Sequence, residues 1–218
     1  MRADGRFKFA SMSRRAAVTG AALAAMAVLG GCSGSGAGAP AEGDMAKGAA
    51  EGAKVTVVEY ASVTCGACAG WQEQVWPAFK AKYVDTNQVR FVFREFPTPP
   101  QDVAVAGFLL GRCNAAKTGD SAGYFAVVDE ILASQREWAT GTSPAATLDR
   151  IRTGLGFSQE DYLACVTDEA AIKAMEGRIR EAQGQGVSAT PTFFVNGKQV
   201  TDRSLEGLSA MIDAELAK

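Results

Sequence analysis

Val57–Cys68, VVEYASVTCGAC, changes its character in the middle. The segment Lys54–Tyr60 (KVTVVEY) is rich in β-branched residues and predicts a buried strand. It runs through Ala61–Thr64 into Cys65-Gly66-Ala67-Cys68, after which Trp71, Val75 and Phe79 fall four apart, with Trp76 and Tyr83 widening the stripe. That spacing predicts an amphipathic helix, so the two cysteines stand where a strand turns into a helix.

Cysteines three apart can ligate metal, crosslink the chain or exchange disulfides. A zinc site needs four ligands, the sequence contains no histidine, and Cys113 and Cys165 lack the close pairing such sites show. A purely structural link between Cys65 and Cys68 would close too small a loop to stabilise much. Redox exchange accounts for the placement. At a helix start, unsatisfied backbone N–H groups and the positive end of the helix dipole favour the thiolate, which is the attacking species. Cys65 is then the exposed nucleophile, and Cys68, one turn further in, resolves the mixed disulfide.

Working outward, Pro77 should kink the first helix rather than end it, since the apolar period continues past it. Val89–Phe96 (VRFVFREF) predicts a second strand, stopped by Pro97, Pro99 and Pro100. Between Gln101 and Gly186 the patterns are helical: Val103–Lys117, Ser121–Gln135, Pro144–Gly154, Ser158–Thr167 and Glu169–Gln183, with Ser158 and Asp161 as a capping pair. Phe108, Leu110, Phe125 and Leu132 read as core there, and Arg178 and Arg180 as a solvated helix face. Strand character returns at Thr192–Val195, and Asn196-Gly197 signals a hairpin into Lys198–Val200. Leu205, Leu208, Ile212 and Leu216 close the chain along one helical face, with Ser204 as cap.

At the amino terminus, basic residues up to Arg14-Arg15 precede an apolar run from Ala16 to Leu29, the layout of a signal peptide over residues 1–31. Met12 would serve equally as initiator, and Ser13-Arg14-Arg15 hints at twin-arginine export. Leu29-Gly30-Gly31-Cys32 resembles a bacterial lipobox, which makes Cys32 the expected lipidated first residue of the mature chain. Residues 32–53 are mostly small, with scattered charge, and predict a flexible tether. The 218 residues carry a net charge of −2, and removing the five basic groups and one acid of residues 1–31 leaves −6. Nothing in that balance calls for a nucleic-acid partner.

With these segments in view, the chain resembles the DsbA-like family of thiol:disulfide oxidoreductases. The resemblance is carried by Val57–Cys68, the helix end Pro77–Val84, Val89–Pro97 and GVSATPTFFVNG, Gly186–Gly197, and it covers Lys54–Lys218. It implies an α/β thioredoxin-like fold over residues 54–100 and 187–218 with an all-helical insertion at 101–186. It further implies a dithiol that donates or exchanges disulfides in exported proteins, with no cofactor. Thr190-Pro191 matches the family's cis-proline loop, which lies beside the cysteines and pairs with substrate backbone. Glu59 matches the family's acidic residue on the first strand and could pass a proton to or from Cys68. The rival reading makes Glu59 a strand-end acid that reaches solvent.

For Cys113 and Cys165, on separate predicted helices, a structural bridge is the expectation in an oxidising compartment, and the family includes members with an extra disulfide there. Buried free thiols or a regulatory redox pair are the alternatives. The oxidising members carry a histidine between the cysteines, where this chain has Gly66 and Ala67. That departure implies a less oxidising couple, within roughly −120 to −270 mV.

The expected function is therefore a dithiol oxidase in the bacterial periplasm or cell envelope. Its partners would be reduced or unfolded exported proteins and a membrane redox protein that resets the motif. An isomerase or reductase is the alternative, although the dimerisation domain usual in dedicated isomerases is not visible. A lipoprotein binding a soft metal through CxxC is the reading from another class.

Overall fold

A computed structural model describes residues 39–218; the signal peptide expected over residues 1–31 and the lipidation expected at Cys32 lie outside the described residues. Five strands form one sheet in the order β1-β3-β2-β4-β5. They are β1 (Met45–Gly48), β2 (Thr56–Ala61), β3 (Arg90–Glu95), β4 (Thr192–Val195) and β5 (Lys198–Val200). β2 and β3 run parallel, and the other neighbouring pairs are antiparallel. The architecture is the thioredoxin-like α/β fold, with helices α3 (Gln101–Thr118), α4 (Ser121–Ala139), α5 (Pro144–Gly154), α6 (Gln159–Val166) and α7 (Glu169–Gly184) between β3 and β4.

The central strands bury side chains on both faces, which is why Val57-Val58 and Phe91-Val92-Phe93 read as consecutive apolar residues rather than as an alternation. Val57 and Ala61 of β2, with Phe91 and Phe93 of β3, join a large core with Phe108, Phe125 and Leu132 of the helical block. Leu208 and Ile212 of the last helix, α8 (Leu205–Leu216), belong to that core too. On the opposite face Val58, Tyr60 and Phe194 pack with Ala182 and Val187. At the hairpin Asn196 and Gly197 both have positive φ, 46° and 79°, as a tight two-residue turn requires.

The helix after the cysteines is interrupted rather than merely bent. α1 (Gly66–Gln74) stops before Val75, α2 (Trp76–Phe79) carries Pro77 in its first turn, and a π-helical turn continues over Lys80–Val84. Pro77 has no N–H to give to the preceding turn, so the ladder restarts there. The buried stripe of Trp71, Trp76, Phe79 and Tyr83 nevertheless runs through the break.

The expected tether needs correction. Within residues 32–53, Met45–Gly48 form the edge strand β1, paired from Met45 with Phe93 to Gly48 with Arg90. Backbone hydrogen bonds make this strand, so it shows no large apolar residues beyond Met45. Gly48 has φ +82°, and a Cβ there would meet the Val89 carbonyl oxygen at 2.5 Å. Asp44 anchors the segment through both oxygens to Arg94, at 2.8 and 2.9 Å.

Candidate active site

Cys65 is the N-cap of α1 and is joined to Cys68 by a disulfide, with Cα atoms 5.2 Å apart. Its Sγ accepts the Cys68 backbone N–H at 3.1 Å, so sulfur takes the capping role usually given to a serine or aspartate oxygen. Cys65 keeps 8% of its surface exposed and Cys68 only 1%. An incoming thiolate therefore reaches Cys65 first.

The turn before α1 is held by hydroxyl groups. Ser62, fully buried, accepts the Thr98 N–H at 3.1 Å and shares a 3.0 Å hydrogen bond with the Thr64 hydroxyl, which donates to the Thr98 carbonyl at 2.7 Å. From the other side Gln135 of α4 donates to the Val63 carbonyl at 2.7 Å and to the Cys65 carbonyl at 3.4 Å. None of these partners is marked in the linear sequence, since each acts across a separation of 34 residues or more, apart from Ser62 with Thr64.

Thr190-Pro191 is a cis peptide beside this turn, and the Thr190 carbonyl oxygen lies 3.6 Å from Cys65 Sγ. Arg203 ties that loop to α1: it donates to the Pro191 carbonyl at 3.1 Å, and its own carbonyl accepts the Trp71 indole N–H at 2.9 Å. The structure thus brings Cys65, Cys68, Thr190 and Pro191 into one locus.

Glu59 points from β2 into the core that contains Cys68 and Trp71, by alternation with Val57 and Ala61. It is 3% exposed, which removes the reading of a strand-end acid reaching solvent. No arginine or lysine pairs with it among the described residues; burial first, and the nearby Asp129 carboxylate second, push it up to about 8. Asp129 accepts from Lys47 at 2.9 Å and from Gln72 at 3.0 Å. It lines, with Gly66, Ala69 and Gly70, a groove of about 590 Å³ between α1 and α4.

Cys113 and Cys165 are bridged, joining α3 to α6 with Cα atoms 6.2 Å apart across 52 residues of sequence. Arg178 departs from its expected solvated place. It donates to the buried Glu95 at 3.0 Å, whereas Arg180 does stand in solvent, 65% exposed.

Comparison with known proteins bears on this geometry. A family model described as thioredoxin matches residues 41–214. A Rickettsia bellii protein named "Putative protein-disulfide oxidoreductase" is 33% identical over 173 residues, covering 79% of this chain and 64% of that protein. The chain thus spans less than two thirds of that relative's length. "Probable disulfide bond formation protein D" of Bacillus anthracis is 28% identical over 171 residues, 76% of each chain. Among solved structures, Wolbachia pipientis alpha-DsbA1 superposes with a TM-score of 0.69 at 24% identity, over 82% of this chain and 93% of that one. Chlamydia trachomatis DsbA gives 0.62 at 21% identity, over 80% and 90%. At these identities the structural likeness speaks for a shared fold.

Proposed function

This chain belongs to the thioredoxin family, and within it we propose a thiol:disulfide oxidoreductase that works as a dithiol oxidase on exported proteins. The observation that carries the reading is the Cys65–Cys68 disulfide set at the N-cap of α1, its Cys65 sulfur already accepting a helix N–H. Relatives named for disulfide oxidoreduction and disulfide bond formation support it.

A substrate thiolate attacks Cys65 Sγ, the Cys65–Cys68 bond breaks, and Cys68 leaves as a thiolate that takes a proton. Glu59, protonated through neutral pH, is the proton source in this scheme. The second substrate thiol loses its proton and attacks the substrate sulfur of the mixed disulfide. Cys65 then departs as a thiolate stabilised by the α1 N-terminus. The substrate loses two electrons and two protons: the Cys65/Cys68 pair gains both electrons, one proton restores Glu59 and the other passes to solvent while Cys65 stays a thiolate, and a membrane redox protein that accepts the two electrons restores the disulfide. The Thr190-Pro191 loop, whose carbonyl faces Cys65, pairs with substrate backbone, and the Cys113–Cys165 bridge fastens α3 to α6. The lipobox-like Leu29–Cys32 supports an envelope location with lipidated Cys32, which a gel-mobility shift abolished by Cys32→Ser would register.

The test is the reduction potential of the couple, measured with oxidation of a reduced, unfolded model protein. A potential above about −200 mV with stoichiometric oxidation supports the oxidase. A value near about −270 mV with no net oxidation makes the chain a reductase.

A further inference from the structure

Gly66 and Ala67, the two residues between the cysteines, have no hydrogen-bonding side chain, so any polar side chain that tunes this turn must come from elsewhere in the fold. One does. The Gln135 amide reaches from α4 to the carbonyls of Val63 and Cys65 at 2.7 and 3.4 Å, and its Oε1 lies 4.0 Å from where a Cβ on Gly66 would stand. The Cys65 carbonyl also accepts the Ala69 N–H at 3.1 Å, the first hydrogen bond of α1. Gln135 therefore grips the turn at the residue whose sulfur caps the helix, opposite the grip of Ser62, Thr64 and Thr98.

We propose that Gln135 is a positioning residue for the exchange reaction, an amide donor from the helical insertion that holds Cys65 at the N-cap of α1 and so favours its thiolate. The physical cause is twofold. The donor offsets the negative ends of two carbonyl dipoles beside the sulfur, and it fixes the turn in the geometry that aims the Cys68 N–H at Cys65 Sγ. Stabilising the thiolate stabilises the reduced pair and makes the disulfide a better oxidant. Charged groups on the elements around the turn, namely Glu59 on β2, Glu73 on α1, Asp129 and Arg136 on α4, and Arg203 before α8, are left unaltered in the variants below.

The inference rests on the reading of Cys65 as the attacking thiol, and its test keeps the two apart. In the full chain, reduced at Cys65 and Cys68, the pH profile of Cys65 alkylation and the equilibrium with glutathione are compared for Gln135→Leu, Gln135→Glu and Gln135→Lys. Leu removes the donor, and the thiolate fraction at a fixed pH below the Cys65 pKa falls roughly threefold, the scale of part of one net hydrogen bond. Glu adds an anion in place of the donor and lowers that fraction further, roughly tenfold. Lys restores a donor and brings the profile back to the unaltered chain or below it in pH. A profile unmoved in Leu and Glu overturns the proposal, as does an equal rise in all three, which would mean that only the shape of the side chain matters. Alkylation of Cys68 instead of Cys65 in the unaltered chain would overturn the functional reading and this proposal with it, an outcome distinct from unmoved variants.

Discussion

Glu59 and Glu95 sit on adjacent parallel strands, two registers apart on the same face of the sheet, and each is 3% exposed. Their surroundings are opposite. Glu95 accepts Arg112 at 2.6 and 2.8 Å, Arg178 at 3.0 and 3.3 Å, and the Tyr124 hydroxyl at 3.3 Å. Glu59 has the Asp129 carboxylate nearby in place of a cation. Burial to the same depth thus serves two ends. Glu95 bolts β3 to α3, α4 and α7, while Glu59 is left holding a proton at a pH where carboxylates ordinarily release it.

The comparison breaks first, and hardest, at Glu95. Glu95→Gln strands two guanidinium groups whose side chains are only 18% and 21% exposed, and a denaturant titration at pH 7 should show a loss on the order of 4 kcal/mol. A loss under about 1 kcal/mol would mean that the arginines find other partners and that the bolt is not structural.

Glu59→Gln should do the reverse. The folded pKa of about 8 lies above the ordinary 4.5, so between those values the unfolded chain ionises Glu59 while the folded chain keeps its proton. Stability from this group is complete below pH 4.5 and is lost as pH rises towards 8. Removing the acid should therefore stabilise the protein by about 3 kcal/mol at pH 7, with the gain fading on acidification. The same variant should slow exchange with a model thiol and flatten its pH dependence; a variant with unchanged stability and exchange profiles would rob Glu59 of its proton-holding role.

The smallest effect sharpens the picture of the bolt. Burial first, and the Glu95 carboxylate second, push the Tyr124 phenol well above its usual value, so it serves there as a neutral donor. Tyr124→Phe removes only a long hydrogen bond, and unfolding should register a loss of about 1 kcal/mol or less. A loss as large as that of Glu95→Gln would shift the weight of the cluster from the arginines to the phenol.

Much of this architecture is legible in the chain because periodicity reports burial. KVTVVEY, the stripe from Trp71 to Tyr83, the helices between Gln101 and Gly186 and the Asn196-Gly197 turn each announce an element within a few residues. Meetings across long separations are not announced. VRFVFREF shows an acid in a strand but not that Arg178, 83 residues on, will reach it, so Arg178 looks like an ordinary surface residue. Gln135 sits at the end of a predicted helix with no pattern linking it to the turn 70 residues earlier. β1 escaped for another reason: it is made by backbone pairing at a sheet edge, where small residues suffice and a tether has the same composition.

That edge strand also fixes where the folded domain can be handled. Because β1 is antiparallel to β3, with Met45 opposite Phe93 and Asp44 fastened to Arg94, the chain comes into the sheet at the end where β2 delivers CGAC. At the carboxyl end, the Leu216 carbonyl accepts Lys54 and Glu215 meets Lys198, beside the start of β2. A surface or fusion partner joined ahead of Ala39 is thereby leashed at the end of the sheet that carries the Cys65–Cys68 disulfide. One joined after Lys218 trails from the far pole and leaves the disulfide facing outward.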